Sequence, residues 1–380
     1  MTRILVIGGG YAGVAAVERL GGRRPGIEVL LVDQRPDQES LPLLPDVIGR
    51  GFPPEHLRYP LARCAERWGC QVLQETVASV DLGRRLVTTA GRELAYDLLL
   101  VSGGAEPNYH GQEAFREHAL PLYSAADAVR LRQAALDPQW ETFVVAGGGY
   151  TGVEAATALW RLFRRQARPR RIVIAELAPA LLANLPERLR DYVTGNLRKL
   201  GIELRLGTTV SAVTAEAVTL RTGEVFPSAR LVWSAGVRTV EFVRQIDHRK
   251  TPDGRLLVDP ELRIREDCFV AGDAAAFMRG GRPLRMAVQF AVREGQHAAG
   301  NMLRAVRGKP LRPFRPVELG YLVPMANNRA CGIVLGMPMS GAAPIALHYA
   351  MGVYRARGLA SRLGLLRSLL WPARAAGRAH

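Results

Sequence analysis

Cysteine, lysine and aromatic residues are all scarce in this sequence of 380 residues. The four cysteines are too few to staple so long a chain with disulfides, and no two of them form a C-x-x-C pair, so a reducing compartment fits best. Aromatic residues make up 7% of the chain, and no recognised nucleic-acid module accompanies them, so we predict no nucleic-acid partner. Only three of the 51 basic residues are lysines, and part of the positive charge therefore reflects an arginine-rich composition.

The N-terminus, MTRILVIGGG, lacks the features of a targeting signal. Its apolar run of four residues meets glycines with no small-residue cleavage site, so we expect neither a signal peptide nor a transit peptide.

One stretch, Ala330–Tyr354, has no Asp, Glu, Lys or Arg. Its two prolines, four glycines and one histidine argue against a membrane-spanning helix. We interpret it as a strand, a turn and the start of a helix.

The chain is long, rich in apolar residues and unevenly charged. Its length suffices for roughly two to three domains of ~150 residues each. The composition, 48% hydrophobic and 23% charged, is typical of folded globular proteins. The formal net charge is +16, and from Gln296 onward twelve basic residues stand against a single acid, Glu318.

One unit of the sequence occurs twice. Thr2–Leu20 reads TRILVIGGGYAGVAAVERL and Glu141–Leu159 reads ETFVVAGGGYTGVEAATAL, with nine of nineteen positions identical. In each copy an apolar run precedes a glycine cluster, and apolar residues at helical spacing follow it. The pattern predicts a strand, a tight turn and a helix in both places.

Both glycine clusters have the spacing G-x-G-x-x-G of a dinucleotide-binding fingerprint. The free N–H groups and the positive end of the following helix can receive a pyrophosphate. The first glycine permits the turn, the second admits the phosphates, and the third lets the helix pack close to the strand. These glycines are Gly8, Gly10 and Gly13 in the first copy and Gly147, Gly149 and Gly152 in the second.

An acidic residue closes the next strand of each copy. Asp33 ends the run EVLLVD and Glu176 ends RIVIAE, where a carboxylate can accept hydrogen bonds from ribose hydroxyls. A carboxylate at Glu176 would repel a 2′-phosphate, and no arginine follows it closely. Arg170 and Arg171 precede the strand and weaken this argument only slightly. We therefore predict NADH rather than NADPH at the second fingerprint.

With these fingerprints, the sequence resembles the two-dinucleotide-domain flavoproteins related to glutathione reductase, and within them the type II NADH dehydrogenases (NADH:quinone oxidoreductases). The resemblance covers about residues 1–315 well and the rest loosely. Five further segments look like the family's own stretches in the family's order: LPLLPDVIGRG (Leu41–Gly51), LLVSGGAEPNYHG (Leu99–Gly111), ALPLYSAADAVRLR (Ala119–Arg132), RLVWSAGV (Arg230–Val237) and CFVAGDAA (Cys268–Ala275).

The resemblance implies roles for the site residues. The first fingerprint would hold FAD, with Asp273 bonded to the ribityl and phosphate portion, and the second would hold NADH. Glu154 matches the family's acid beside the nicotinamide and the flavin. It also lies in the first turn of a predicted helix, where a carboxylate is favourable for the helix dipole alone. The equivalent residue in the other copy is Ala15, so the repeat itself did not require an acid there.

The segment that would face a quinone departs from the family. The family shows a helix start resembling A-Q-x-A-x-Q, whereas Met286–Gly295 reads MAVQFAVREG. Gln289 matches the first glutamine and is a candidate catalytic residue, with an ordinary helix-surface glutamine as the alternative. Arg293 stands in place of the second glutamine. The family's tyrosine before an Asp-Lys-Gly stretch is also altered, since the chain from Gly320 reads GYLVPMANNRA.

Cysteine positions separate the related enzymes. A disulfide reductase needs a redox pair soon after the first ribose acid, and nothing between Asp33 and Cys64 provides it. Sulfide:quinone oxidoreductases use two well-separated cysteines near the flavin, and no cysteine lies between Cys70 and Cys268. That activity remains an alternative. The others are a soluble NADH-dependent reductase of an acidic redox protein and a redox-sensing or interaction protein that binds FAD and NADH.

The basic tail contains an amphipathic pattern. On a helical projection four leucines, Leu359, Leu363, Leu366 and Leu370, form a narrow stripe. Arg362 and Arg367 flank the stripe and Trp371 follows it, a pattern typical of a helix at a membrane interface. The stripe could equally pack on the protein's own core or in a homodimer.

These observations predict an α/β protein with two Rossmann-like, glutathione-reductase-like dinucleotide domains and a C-terminal membrane-associating segment. The activity would be transfer of a hydride from NADH to FAD and of two electrons to a membrane quinone. We expect a cytoplasmic protein attached peripherally to the inner face of the cell membrane, with an anionic membrane surface as partner and no metal. The domains would be a split FAD domain (1–112 and 240–315), an inserted NADH domain (113–239) and a C-terminal segment (316–380).

Overall fold

A computed structural model describes residues 1–22 and 24–370 of the chain, in which helices alternate with short strands. The helices are α1 (Tyr11–Leu20), α2 (Leu44–Gly49), α3 (Ala62–Trp68), α4 (Glu113–His118), α5 (Ala125–Leu136), α6 (Tyr150–Arg165), α7 (Glu187–Lys199), α8 (Glu241–Gln245), α9 (Val288–Val306), α10 (Ala343–Arg355) and α11 (Leu359–Leu370).

The strands are short and form parallel central sheets with smaller antiparallel sheets beside them. They are β1 (Thr2–Ile7), β2 (Ile27–Asp33), β3 (Asp37–Glu39), β4 (Arg58–Pro60), β5 (Gln71–Gln74), β6 (Val77–Asp81), β7 (Leu86–Thr89), β8 (Glu93–Ala95), β9 (Leu98–Val101), β10 (Ala105–Pro107), β11 (Leu120–Pro121), β12 (Thr142–Ala146), β13 (Arg171–Glu176), β14 (Glu203–Leu206), β15 (Val210–Val213), β16 (Ala217–Leu220), β17 (Val225–Pro227), β18 (Ala229–Trp233), β19 (Val237–Thr239), β20 (Leu256–Leu257), β21 (Arg263–Arg265), β22 (Cys268–Val270), β23 (Ala275–Ala276), β24 (Met278–Arg279), β25 (Arg282–Pro283), β26 (Gly320–Met325), β27 (Arg329–Val334) and β28 (Met337–Gly341).

The chain divides into two compact units. The first contains residues 1–38, 59–106 and 237–318, and the second contains residues 39–58, 107–236 and the chain from 319 onward. The main divisions lie close to the predicted boundaries at 112 and 239. Residues 39–58, which we predicted within the FAD domain, and the chain from 319, which we predicted as a separate segment, both group with the second unit.

The first unit is built on a six-stranded sheet in the order β21-β22-β9-β1-β2-β5. All its neighbouring strands are parallel except the pair β21 and β22. Helix α1 follows the central strand β1, and its apolar positions Val14, Val17 and Leu20 are all buried. Helix α9 packs against α1 so closely that a Cβ on Gly295 would lie 2.0 Å from the carbonyl oxygen of Ala12.

The second unit repeats this plan with a five-stranded parallel sheet, ordered β11-β18-β12-β13-β14. Helix α6 follows β12, and its predicted apolar positions Val153, Ala156 and Leu159 are buried. Helix α2 joins this unit because it packs on α6: a Cβ on Gly49 would lie 2.9 Å from the carbonyl oxygen of Ala158.

The chain after residue 319 forms an antiparallel sheet, β26-β27-β28, followed by α10 and α11. The uncharged stretch that we interpreted as a strand, a turn and a helix start thus contains two strands and most of α10. No helix among residues 1–22 and 24–370 is long and apolar enough to span a bilayer. Trp371, assigned above to the interfacial pattern, lies outside the described residues.

Candidate dinucleotide-binding sites

The first fingerprint forms the turn between β1 and α1. Gly8 has φ of +98°, and a Cβ there would lie 2.2 Å from the carbonyl oxygen of Ser102. A Cβ on Gly13 would lie 1.7 Å from the carbonyl oxygen of Gly8. At Gly10 the space is open, with no protein atom within 4 Å of the Cβ position. The turn therefore excludes side chains where backbone meets backbone and leaves room where a pyrophosphate would approach.

The second fingerprint forms the same turn between β12 and α6. Gly147 has φ of +99°, and a Cβ there would lie 2.7 Å from the carbonyl oxygen of Ser234. A Cβ on Gly152 would lie 1.9 Å from the carbonyl oxygen of Gly147, and the space at Gly149 is again open. The second unit thus offers the same phosphate cradle as the first.

The two ribose acids are held beside their glycine turns. Asp33 is the last residue of β2, and its Oδ2 accepts a hydrogen bond of 2.5 Å from the N–H of Gly9. Glu176 is the last residue of β13, and its Oε2 accepts one of 2.5 Å from the N–H of Gly148. Arg171, at the opposite end of β13, pairs with Glu203 instead, at 2.6 Å. Glu176 therefore faces its turn without this arginine beside it.

Two serines that the sequence did not single out complete these turns. The Ser102 hydroxyl donates to the carbonyl oxygens of Ile7 and Gly8, at 2.7 and 3.2 Å. The Ser234 hydroxyl donates to Ala146 and Gly147 at the same two distances. Each serine follows an apolar run, in VSGG and in WSAG, and this shared position was the available signal.

A buried acid fixes the loop that carries Asp273. Glu294 on α9 is 2% exposed, and its Oε2 accepts a hydrogen bond of 2.7 Å from the N–H of Gly272. Burial raises the pKa of Glu294 to about 8 and also raises the pKa of Asp273, while the buried Arg255 opposes both shifts. The signal for Glu294 was an acid on the apolar face of a helix.

The predicted quinone-facing glutamine is held by an acid. Gln289, at the start of α9, donates from Nε2 to Oε1 of Glu318 at 2.7 Å. Arg285 donates to the same oxygen at 2.9 Å and lies over the ring of Phe290. Gln289 is buried, so it is no ordinary surface glutamine, whereas Arg293 is exposed. These residues belong to the first unit.

Glu154 differs most from its counterpart in the other copy. It lies in the second turn of α6, not in the first turn where we predicted it, so the helix dipole alone does not account for it. The side chain is partly buried, and its pKa is raised to about 8 by burial and by the negative charge of Asp46. Asp46 lies on α2. This helix belongs to the second unit but lies outside the repeated sequences 2–20 and 141–159. The raised pKa favours the protonated form of Glu154 at neutral pH. Ala15, at the same position of the other copy, has no group that can carry a proton.

Asp46 belongs to a network of polar side chains in the second unit. Its Oδ1 is 2.9 Å from Nε of Arg50 and accepts a hydrogen bond of 2.9 Å from the hydroxyl of Tyr349. Arg50 also donates to Oδ1 of Asn328 at 3.0 Å. Burial raises the pKa of Asp46 although Arg50 opposes the shift. The only sign of this network in the sequence was the spacing of Asp46 and Arg50, one helical turn apart.

The family model for pyridine nucleotide-disulphide oxidoreductases matches residues 2–295, which include both glycine turns. The chain belongs to the pyridine nucleotide-disulphide oxidoreductase family. This membership confirms the family predicted from the two fingerprints.

Curated relatives of this oxidoreductase cover nearly the whole chain. Demethylphylloquinone reductase NdbB of Synechocystis is 27% identical over 93% of this chain and 92% of its own. The type II NADH:quinone oxidoreductase of Staphylococcus saprophyticus is 24% identical over 89% and 91%. Among solved structures, NDH2 of Plasmodium falciparum in complex with NADH superposes with a TM-score of 0.86 at 15% identity, covering 98% of this chain and 99% of that one. The last likeness confirms the α/β fold.

The cysteines of this family member are ill suited to disulfide chemistry. All four (Cys64, Cys70, Cys268 and Cys331) are buried, and none of them forms a disulfide. Burial raises the pKa of Cys70 and Cys268, and it raises that of Cys331 to about 11. A thiol with a raised pKa is seldom the thiolate that attacks a disulfide or sulfide sulfur.

The predicted site residues divide between the two units. Those of the first are Gly8, Gly10, Gly13, Asp33, Asp273 and Gln289, and those of the second are Gly147, Gly149, Gly152, Glu154 and Glu176. No cluster of three or more His, Cys, Asp or Glu in the described part of the chain could hold a metal ion. The roles assigned to these residues stay predictions.

Proposed function

We propose that this oxidoreductase is a type II NADH:quinone oxidoreductase, which takes a hydride from NADH onto FAD and passes two electrons to a quinone. The observation that carries the proposal is the pair of glycine turns, each with its own carboxylate, in a chain whose named relatives match it almost end to end. Each unit offers one dinucleotide site, as a donor and a flavin require.

The first unit fits FAD. The open space at Gly10 and the carboxylate of Asp33 would hold the pyrophosphate and the ribose, and Asp273 would hold the ribityl portion. Bound FAD supplies the redox chemistry, accepting two electrons at a time. The protein's part here is to hold and orient: Glu294 anchors the N–H of Gly272, which fixes the backbone beside Asp273.

The second unit fits NADH. Glu176 would accept hydrogen bonds from the adenine ribose, and its charge would repel the 2′-phosphate of NADPH. Neither preceding arginine is available to offset this charge. Arg171 is paired with Glu203, and Arg170 donates to the carbonyl oxygen of Ala135 and lies over Phe163. These contacts support a preference for NADH, because both arginines are engaged by groups other than Glu176.

Quinone reduction by NADH consumes one proton beyond the hydride, so the enzyme needs a group that holds one. With a pKa of about 8, Glu154 is protonated at neutral pH and can give up its proton to a developing oxyanion. Gln289 would orient the acceptor, and Glu318 fixes which way its amide points.

The activity is tested with purified holoprotein. NADH oxidation is measured with a soluble quinone, with sulfide as donor and quinone as acceptor, with an acidic redox protein, and with oxygen alone. We expect quinone to accelerate NADH oxidation well above the oxygen background, and NADH to be preferred to NADPH. A sulfide-dependent rate would favour the alternative enzyme, and binding of FAD and NADH without turnover would favour a redox-sensing protein.

We also propose that α11 attaches the protein peripherally to the inner face of a membrane. The stripe residues Leu359, Leu363, Leu366 and Leu370 are 42–72% exposed, while Leu365, on the opposite face, is buried. Among residues 1–22 and 24–370, the protein's own core therefore does not cover the stripe. Its apolar surface, with the exposed Arg367 beside it, suits an anionic bilayer interface.

The opposite face of α11 fixes its orientation. Gly364 lies against the ring of His56, where a Cβ would be 2.5 Å from the nearest ring carbon, and the His56 Nδ1 is 3.3 Å from the hydroxyl of Ser368. Arg362, which we expected to reach lipid phosphates, instead donates to the carbonyl oxygens of Ala356 and Tyr354. It caps the end of α10 and leaves Arg367 as the flanking cation.

The attachment is tested by flotation with vesicles of phosphatidylcholine and phosphatidylglycerol. L363E/L366E places two carboxylates in the stripe, and we expect the full chain to lose vesicle binding while keeping its flavin. A matched control, A342E/A346E, places two carboxylates at exposed positions of the neighbouring helical region. Unchanged binding of L363E/L366E would refute the attachment, and a change from dimer to monomer without loss of flotation would assign the stripe to a homodimer.

A further inference from the structure

A basic groove lies in the first unit, away from the glycine turn of that unit. Its volume is about 410 Å³, and it lies between the end of α1, the second half of α9 and the loop that follows α9. The cationic residues that line it are Arg19, Arg24, Arg304, Arg307, Lys309 and Arg312, with His297 among them. Among the residues that the structure describes, no acidic side chain lines it.

These six cations are not neutralised by the protein. Within the part of the chain that the structure describes, none of them forms an ion pair with a carboxylate. Like charges gathered in a concavity repel one another and raise the local potential, which attracts anions. Such an arrangement is costly unless a bound anion offsets it.

The groove is nevertheless well ordered by hydrogen bonds. Asn301, buried on α9, donates from Nδ2 to the carbonyl oxygen of Arg312 at 2.9 Å and accepts from its N–H at 3.0 Å. The His297 Nε2 is 2.7 Å from the same carbonyl oxygen. The N–H of Lys309 donates to the carbonyl oxygen of Arg304. The loop after α9 is therefore fixed to the helix, and its cations are held at one place.

Helix dipoles account for only part of the cluster. Arg19 and Arg304 lie in the last turns of α1 and α9, where cations are favourable. Lys309 and Arg312 lie beyond α9, and Arg24 lies beyond α1. The helix dipoles therefore do not account for these three cations. The side chain of Arg24 still turns back to α1, where Nε donates to the carbonyl oxygen of Leu20 at 3.0 Å.

The chemistry of the lining identifies the class of ligand. Guanidinium groups bind phosphate oxygens through paired, charge-assisted hydrogen bonds, and six cations exceed what one phosphate requires. The volume suits a small molecule rather than a flat macromolecular surface. We propose that this groove binds a ligand carrying two or more phosphate groups, at a site separate from the FAD and NADH fingerprints.

The position of the groove makes it independent of the flavin phosphates. Gly10 precedes the first residue of α1, whereas Arg19 lies at the end of that helix. Ten helical residues span about 15 Å, so a diphosphate at Gly10 cannot reach Arg19. A second cavity of about 300 Å³ shares Arg24 and is lined by apolar residues that include Val17, Leu20 and Trp68. It could accept an apolar portion of the same ligand, such as the acyl part of a phosphorylated lipid.

The test uses the full chain loaded with FAD and saturated with NAD⁺, so that the dinucleotide phosphate positions are filled. Sodium tripolyphosphate is titrated calorimetrically into wild type and into R307Q/K309Q, which removes two exposed cations of the groove. We expect the double variant to bind about tenfold or more weakly because it loses charge-assisted contacts. The matched control R63Q/R282Q removes two exposed arginines from the same unit outside the groove and should bind like wild type.

A second arm uses vesicles of phosphatidylcholine with and without cardiolipin, whose headgroup carries two phosphates, and every variant in this arm also carries L363E/L366E so that α11 contributes no binding. Loss of tripolyphosphate binding alone in R307Q/K309Q would identify a soluble ligand, and a loss that includes the cardiolipin vesicles would identify a phosphorylated lipid. Equal losses in R307Q/K309Q and R63Q/R282Q would show only diffuse charge attraction and overturn the proposal. No binding by wild type in either arm would overturn it as well. The flavin absorbance and the unfolding midpoint verify that each variant is folded.

Discussion

The two glycine turns have nearly the same backbone and different neighbours. Gly10 has φ and ψ of −74° and −163°, and Gly149 has −77° and −167°. The first glycines agree as closely, with φ of +98° at Gly8 and +99° at Gly147. The part of the site that would receive phosphates is thus identical in the two units, because the same sterics select the same residues.

The units differ in what surrounds the helix after the turn. Ala15 is fully buried in the first unit, whereas Glu154 at the same place is close enough to Asp46 for its pKa to rise. Asp46 comes from α2, outside the repeated sequence. Under the proposed function, the repeat would supply dinucleotide binding, and α2 would tune the proton chemistry of Glu154.

The largest expected effect comes from filling one turn at a time. G13A would put a methyl group against the carbonyl oxygen of Gly8, and G152A would do the same at Gly147. Overpacking of this kind costs about 1–3 kcal/mol, which would correspond to a loss of affinity of roughly 5- to 160-fold. We expect G13A to lose FAD and G152A to keep FAD but bind NADH weakly, as flavin absorbance and NADH titration would show.

The control for both variants is G195A. Gly195 lies within α7, and no protein atom outside its own helix segment lies within 4 Å of its Cβ position. Alanine there should leave both cofactors bound and raise stability slightly, by roughly 0.5–1 kcal/mol, because glycine is unfavourable inside a helix. If G152A also lost FAD, the two turns would not act as separate sites.

The next effect is expected from E154Q, which leaves this position of the second copy without an ionisable group, like Ala15 in the first copy. Removal of a general acid costs on the order of 100-fold in rate. Wild-type turnover should fall as pH rises through about 8, where Glu154 loses its proton. The variant should be slow at every pH and lack this alkaline limb. The control E216Q alters an exposed acid of the same unit and should keep the wild-type profile.

The pH dependence of the free energy of unfolding should also reveal the raised pKa of Glu154. The pKa of Glu154 is raised above its ordinary value of 4.5 to about 8, so between these values the folded state binds more protons than the unfolded state. Stability should therefore fall as pH rises through this window. In E154Q that component should be missing, and its unfolding midpoint should exceed that of wild type at pH 8. An identical pH dependence in both proteins would contradict the raised pKa.

How much the sequence could predict depended on the range of the interactions. The glycines and the ribose acids were predictable because a local backbone shape selects them within about thirty residues. Ser102 and Ser234 were not, since each closes its turn from a strand far along the chain, at different separations. The leucine stripe of α11 was visible, but only the packing of Leu365 showed which face is free.

The charged neighbours were the least predictable part of the site. The pairing of Glu294 with Gly272 and the proximity of Asp46 to Glu154 join segments that no sequence period connects. Contacts between distant segments also decided where the chain divides into its two units. Residues 39–58 follow the first fingerprint in sequence, yet α2 packs on α6 because Gly49 permits a close approach there. Tertiary contact, and not local pattern, decided these placements.

A further, weaker effect should separate the two ribose acids. E176Q removes the charge that disfavours a 2′-phosphate, while the amide oxygen can still accept a hydrogen bond from the N–H of Gly148. We expect the preference for NADH over NADPH, as the ratio of kcat/KM values, to fall by roughly tenfold, about 1.4 kcal/mol. D33N, its counterpart in the first unit, should leave that ratio unchanged and weaken FAD retention instead. A shift in the ratio with D33N would mean that the nucleotides are assigned to the wrong turns.

The smallest expected effect tests whether α2 tunes the second copy. D46N removes a negative charge near Glu154 and keeps a side chain that can accept the hydrogen bond from Tyr349. A nearby negative charge raises the pKa of a carboxyl group, so its removal should lower the pKa of Glu154 from about 8. The alkaline limb of turnover should therefore move to lower pH, with the rate at its plateau changed by less than about tenfold. Because burial is the larger cause of the raised pKa, the limb should remain above the ordinary range of a glutamate. A limb that stayed in place would assign the proton chemistry to burial alone and remove α2 from it.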